Sequence, residues 1–170
     1  DYQSTREDFD WYRDGFSGLD WLPDGGLNNA YEAVDRHVNN GKGKQKALIW
    51  IGKNGDEETY TYSQFKEESD KFGQVMKNLG MQRADRVFIF MDRIPELYFA
   101  AMGILKAGGV IAPLFSAFGP DPVRDRMEDA GASFLVTTPE LKSKIDSMLP
   151  NIKTLQKVIV IDKLDTANIK

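Results

Sequence analysis

The chain contains no cysteine and a single histidine, His37. The first absence excludes disulfides, a thiolate nucleophile and any cysteine-ligated metal, and it suits a reducing compartment. The second leaves no histidine pair for a zinc site. Long apolar runs are missing as well: nothing approaches the roughly 18 consecutive apolar residues of a membrane helix. The acidic, aromatic start DYQSTREDFDWYRDGF has no apolar segment of the kind a secretory leader carries. Charge of one sign is lacking too. With 22 basic and 26 acidic side chains spread along the length, the net charge of −4 supplies no basic face for a nucleic-acid backbone. Internal repeats, G-x-G-x-x-G, a Walker A loop, G-x-S-x-G and H-E-x-x-H are all absent. The expectation is a soluble cytoplasmic protein that engages neither nucleic acid nor membrane, with no residue assignable as catalytic or as a metal ligand.

What is there suits one sizeable core: 170 residues, 41% of them hydrophobic. Leu27, Tyr31, Val34 and Val38 recur at helical spacing and predict an amphipathic helix from Leu27 to Val38. His37 lies beside that stripe and reads as a helix-surface or boundary histidine that makes a hydrogen bond, in preference to a catalytic one. The patch Asn39-Asn-Gly-Lys-Gly-Lys-Gln-Lys46 reads as a solvated loop. It is not a nucleotide loop, because no strand precedes it and no Ser or Thr follows the lysine. A division into a lead-in of residues 1–46 and an α/β unit of residues 47–170 follows from this pattern.

Ala47–Ile51 and Thr59–Thr61 read as two strands joined by a polar turn, a hairpin. Thr61 and Gln64 have the spacing of a capping box, and Phe65, Phe72, Val75, Met76 and Leu79 then mark one apolar helix face that Gly80 terminates. From there strands and helices alternate. Strands are expected at Val87–Met91, Val110–Leu114, Phe134–Thr137 and Val158–Ile161, with helices at Pro95–Ala107, Pro122–Ala130 and Glu140–Leu149 between them. The strands are continuous apolar runs, as expected of strands covered on both faces. The fold class is therefore α/β: a doubly wound, mostly parallel sheet with helices on both faces, preceded by a β-hairpin and a helical lead-in.

In such a sheet ligands lie beyond the carboxyl ends of the strands, here Asp92–Pro95, Phe115–Pro120, Thr137–Glu140 and the segment after Ile161. The stretch KAGGVIAPLFSAFGP holds two glycine-bearing turns, and only order along the chain separates them. Gly108 and Gly109 precede the strand and follow a helix, so they read as a helix stop and not as a phosphate cradle. Phe115-Ser-Ala-Phe-Gly-Pro120 follows the strand, with Asp121 as the expected N-cap of the next helix and Pro122 as its first residue. Asp92, Arg93 and Glu96 read as a helix cap with solvated neighbours. Phe115 and Phe118 are equally consistent with core residues and with walls around a planar or extended ligand, which the small Ser116 and Ala117 would let approach the backbone.

The runs Thr59-Tyr-Thr-Tyr-Ser-Gln-Phe65, Arg86-Val-Phe-Ile-Phe-Met91, Pro95-Glu-Leu-Tyr98, Leu105-Lys-Ala-Gly-Gly109 and Ala112-Pro113 resemble the first two blocks of the adenylate-forming superfamily. That superfamily includes acyl-CoA synthetases, luciferases and peptide-synthetase adenylation domains. The lead-in Phe9-Asp-Trp11, the helix ending in Asp35-Arg-His37, Pro113-Leu-Phe-Ser-Ala-Phe118 and Val136-Thr-Thr-Pro-Glu-Leu141 are similar to the acetyl-CoA synthetase family, especially its shorter bacterial type.

The resemblance covers nearly the whole chain. It implies a ligase that converts a carboxylate and Mg-ATP to an acyl-adenylate and pyrophosphate, and then passes the acyl group to the thiol of coenzyme A. It also implies that the ATP and Mg²⁺ sites lie outside these residues, in later parts of a longer chain. For the coenzyme A nucleotide it implies contacts from Phe115, Ser116, Ala117 and Phe118, where the family carries a Phe-Gly-Gly-Phe-like loop, and from Lys142 or Lys144 after the Val-Thr-Thr strand. Here Ser116 and Ala117 stand in place of the glycines. Two alternatives stay open: the same chemistry on a medium-chain acid, and a stand-alone ligand-binding module using FSAFGP. The polar end Asp162–Lys170, which leaves the last strand without a covering helix, speaks against the module.

Overall fold

The computed structural model describes residues 1–22 and 25–162. Most of the expected polar end, residues 163–170, lies outside the described residues.

The lead-in begins with helix α1 (Tyr2–Asp8), capped by Asp1, and a short wide turn, Trp11–Gly15, capped by Asp10. Two further wide-turn segments, Tyr31–Asp35 and Val38–Lys42, occupy the predicted Leu27–Val38 region. Helical turns thus run beyond Val38 into the patch expected to be a loop, until Gly41 takes a left-handed φ of 78°. Residues 39–42 are nonetheless exposed. Leu27 stays exposed, while Ala30 and Val34 are buried.

Strands β1 (Lys46–Ile51) and β2 (Glu57–Thr61) pair antiparallel as the predicted hairpin. The Thr61–Gln64 capping box opens helix α2 (Tyr62–Asn78): the Thr61 amide donates to Gln64 Oε1 at 2.9 Å and the Gln64 amide to Thr61 Oγ1 at 3.3 Å. Gly80, with φ of 93°, follows its last turn. The apolar face is only partly the predicted one. Phe65 and Met76 are buried, but Val75 and Leu79 are exposed, and Ser69 and Gly73 take buried places instead. The reason is a close crossing with helix α3 (Pro95–Lys106). A Cβ on Gly73 would lie 2.9 Å from Gly103 O, and one on Gly103 would lie 2.6 Å from Ser69 O, so the crossing needs small residues.

Strands β3 (Arg86–Phe90), β4 (Val110–Leu114), β5 (Phe134–Thr137) and β6 (Lys157–Val160) form one parallel sheet in the order β4-β3-β5-β6. The direction of travel reverses at β3. By the right-handed crossover rule this order puts α3 on one face and helices α4 (Pro120–Asp129) and α5 (Pro139–Ile145) on the other, in keeping with the contacts of α3 with α2 and of α4 with α5. The expected doubly wound α/β sheet is what the chain forms. Burial separates the strands: β5 is buried throughout and β3 after its first residue, whereas the edge strands β4 and β6 expose Val110 and Val160. An apolar run cannot by itself distinguish an edge strand from a central one. The expected helix Glu140–Leu149 ends early, at Ile145, and a 3₁₀ turn at Leu149–Asn151 follows, where Pro150 stands in its first turn.

Lead-in and sheet are joined by specific bonds. Asn28 Oδ1 accepts from the Ala30 and Tyr31 amides, and its Nδ2 donates to Leu105 O at the end of α3 at 2.9 Å. Lys106 meets Asp35 and Asp70, each at 2.7 Å, and Lys66 meets Asp70 at 2.5 Å and Asp35 at 3.3 Å. Two lysines and two aspartates thus close a ring across three helical segments. Burial works to raise the Asp70 carboxyl, but hydrogen bonds from Lys106 and Lys66 outweigh it and hold the group below the usual carboxylate range. His37 packs its ring on Tyr62, with centroids 4.7 Å apart.

Candidate functional site

The two glycine-bearing turns flank β4 at opposite ends of the sheet. At the start of the strand, Gly108 has φ of 86°, its amide donates to Leu105 O at 3.0 Å, and the Gly109 amide donates to Ile104 O at 2.9 Å. Both amides are consumed by the preceding helix, whose negative dipole end points here, so the turn stops a helix and cannot cradle phosphate. The left-handed residue is Gly108; Gly109 is required for space, since a Cβ there would lie 2.8 Å from Ile104 Cγ2 and 3.0 Å from Met81 Sδ. A cavity of about 440 Å³ opens beside this turn, walled by Leu22, Gly26, Asn28 and Arg83.

At the other end, Phe115–Phe118 forms a tight turn, with the Phe118 amide donating to Phe115 O at 2.9 Å. The two phenylalanines, left undecided between core and ligand wall, separate. Phe118 is half-buried and packs on the main core, while Phe115 is 60% exposed and meets Phe118 edge-on, with centroids 5.7 Å apart. Ser116 is half-buried and Ala117 exposed. Helix α4 begins two residues earlier than expected: Gly119 is the N-cap and Pro120 the first helical residue. Both prolines fit a first turn, where no amide is needed, and the extended Gly119 meets the requirement of a residue before proline. Asp121 is therefore no N-cap; its carboxylate pairs with Arg124 at 2.9 Å.

The lysines do not sit where sequence order suggests. Lys142 and Lys144 are on α5, which follows β5, and β3 lies between β5 and β4. The Phe134–Thr137 strand is thus not the neighbour of Val110–Leu114, and two strand spacings of about 4.8 Å each separate their ends. Lys142 is ion-paired to Asp146, one turn along the helix, and Lys144 is exposed.

A side chain that sequence reading missed stands closer to the loop. The Arg126 guanidinium lies over the Phe118 ring, 4.6 Å from its centroid, and donates to Pro122 O at 2.9 Å. The only signal was a cation eight positions after an aromatic, which is not a repeat of any single element.

A separate cleft of about 270 Å³ opens where the strand order reverses, between the ends of β3 and β5. It is lined by Asp92, Ile94, Thr138, Pro139, Glu140 and the Ile161–Asp162 end. This is the topological switch point, where doubly wound sheets hold ligands. Thr138 caps α5 there, its Oγ1 accepting from the Leu141 amide at 3.4 Å. The adjoining loop is steadied from the hairpin, as Trp50 Nε1 donates to Arg93 O at 2.6 Å. Of the expected ligand-facing segments, those after β3, β5 and β6 share this cleft, and the one after β4 stands apart. Among the described residues no helix is long and apolar enough to cross a membrane.

Residues 34–169 match the family described as AMP-binding enzyme. An acetyl-coenzyme A synthetase of Bacillus subtilis (strain 168) is 41% identical over 161 residues, covering 94% of this chain and 27% of that protein. Another, from Rubrobacter xylanophilus, is 34% identical over 169 residues, covering 89% of this chain and 26% of that one. The crystal structure of an acyl-CoA synthetase from Brucella canis superposes with a TM-score of 0.82 at 27% identity, covering 94% of this chain and 28% of that one. The chain spans about a quarter of the length of the curated relatives it matches.

Proposed function

Because the chain belongs to the AMP-binding enzyme family, we propose that it is the N-terminal part of a cytoplasmic acyl-CoA ligase acting on acetate or another short-chain acid. In this reading the acid and Mg-ATP give acyl-AMP and pyrophosphate, and coenzyme A then takes the acyl group and releases AMP. The observation that carries the reading is the likeness to acetyl-coenzyme A synthetases along almost the whole chain. The partners are small molecules and the remainder of the same polypeptide, with neither nucleic acid nor membrane involved. Residues 47–170 are the first α/β subdomain of the adenylate-forming unit, and residues 1–46 its lead-in.

Within this part we place coenzyme A contacts at Phe115, Ser116, Ala117 and Phe118, with Lys142 and Lys144 as basic candidates. The loop fits a nucleotide in three respects. An aromatic face at Phe115 is open to solvent, the two residues behind it are small, and a fixed cation is adjacent. ATP and Mg²⁺ contacts belong to the remainder of the polypeptide, so no side chain here is assigned a chemical step.

Acetate-dependent exchange of pyrophosphate into ATP tests the proposal. The purified chain of 170 residues is expected to show none, and the full-length protein to show it clearly. Exchange by the chain alone, or its absence from the full-length protein, would sink the reading.

A further inference from the structure

Two arginines lie on α4, the helix that the Phe115–Phe118 loop enters, the two candidate lysines lie farther off on α5, and the partners of the four differ. Arg124 is held between Asp121 and Asp125, each at 2.9 Å. Lys142 is held by Asp146. Lys144 is exposed on a long flexible stem, and no carboxylate among the described residues pairs with it, so its position costs rotamer entropy to fix. Arg126 alone is both oriented and uncompensated: the Phe118 ring fixes its plane, Pro122 O fixes one edge, and no carboxylate among the described residues pairs with it. A guanidinium held in this way has little conformational entropy left to lose when a ligand arrives, and its remaining N–H groups form a fork suited to phosphate oxygens.

We infer that Arg126 is the cation that receives a phosphate group of the nucleotide bound at this loop, in place of Lys142 or Lys144. The inference rests on the reading that the Phe115–Phe118 loop faces coenzyme A. Chain order supports the choice. Arg126 lies on α4, the element that the loop itself enters, and stacks on Phe118, whose ring in turn meets the open Phe115 ring edge-on. The lysines lie beyond β3, and Lys142 must also give up Asp146.

The test uses the full-length ligase with three thiol substrates: coenzyme A, dephospho-coenzyme A and pantetheine, the last carrying no phosphate. Arg126→Ala is expected to raise KM for coenzyme A about tenfold, the size of one charge-assisted contact, and less at high salt. At saturating coenzyme A, kcat should move by less than about twofold, and KM for pantetheine should not move. Arg126→Lys, which keeps the charge and loses the planar stack, should recover part of the loss. If KM for dephospho-coenzyme A stays level, the contact is to the 3′-phosphate; if it rises in parallel, the contact is to the pyrophosphate. Either supports the inference. It is overturned if pantetheine suffers in proportion, which would mark a loop disturbed as a whole, or if Lys142→Ala raises KM for coenzyme A more than Arg126→Ala does. Ser116→Trp separates the two layers. A strong rise in KM for coenzyme A in that variant beside an unaffected Arg126→Ala sinks the inference alone, and no rise in Ser116→Trp sinks the loop reading with it.

Discussion

Strand β4 has a glycine-bearing turn at each end, and the two ends are built for different purposes. At Gly108–Gly109 both amides are bonded, the space a Cβ on Gly109 would need is already filled, and Lys106 beside them joins the four-charge ring. At Phe115–Gly119 one aromatic ring faces solvent, the adjoining cation pairs with no carboxylate among the described residues, and a Cβ on Gly119 would meet nothing within 4 Å. A turn with all its groups satisfied has nothing left to offer a ligand. Spare hydrogen-bonding capacity and exposed apolar area, more than glycine content, are what single out the Phe115 end as the proposed ligand-facing one.

Substitutions on the two ends should therefore behave oppositely. The largest effect is expected from Gly109→Ala, which forces Ile104 and Met81 aside and should cost about 1–3 kcal/mol, read from the urea midpoint. KM for ATP in the full-length ligase should stay as it was. A large rise in that constant at an unchanged midpoint would show that the turn touches the nucleotide after all.

A smaller effect is expected from Asp70→Asn in the charge ring, below about 1 kcal/mol because the pair is partly exposed. Its sign follows from the lowered carboxyl. A depressed folded-state pKa contributes stability at pH values above the unfolded one, near 3.9, and that contribution is lost as pH falls through the folded value. The gap between wild type and Asp70→Asn should thus be full at neutral pH and close on acidification below about pH 4. A gap that is constant with pH would mean that the ring contributes by shape and not by charge. The smallest change in stability is expected from Ser116→Trp, within about 0.5 kcal/mol by thermal melting, since a side chain placed there displaces no core. A loss comparable with that of Gly109→Ala would erase the distinction between the two ends.

Much of this was legible in the residues. Helix stops at Gly80 and Gly108, the Thr61 capping box and four apolar runs each rest on a local rule that the structure obeys. Where the reading slipped, information was missing from any local window. Pro120 and Pro122 both satisfy a first-turn position, so the start of α4 was placed at the wrong one of two equivalent signals. The sheet order is not written in the strands, so chain order alone could not show that β3 separates β5 from β4 and keeps Lys142 away from the loop. Arg126 over Phe118 joins a turn to a helix surface, a pairing no single period describes. Phe115 and Phe118 are the same residue type three apart, and only the packed sheet decides which of them turns outward.

The bond from Asn28 to Leu105 spans 77 positions of sequence. During synthesis the lead-in is finished long before its anchor exists, because the carbonyl it must grasp belongs to the last turn of α3. Until Leu105 has left the ribosome, the Tyr31–Lys42 turns have neither that carbonyl nor Lys106 to dock on. The lead-in can close these contacts only after residues 105 and 106 have emerged, so part of its docking waits on chain far downstream of it.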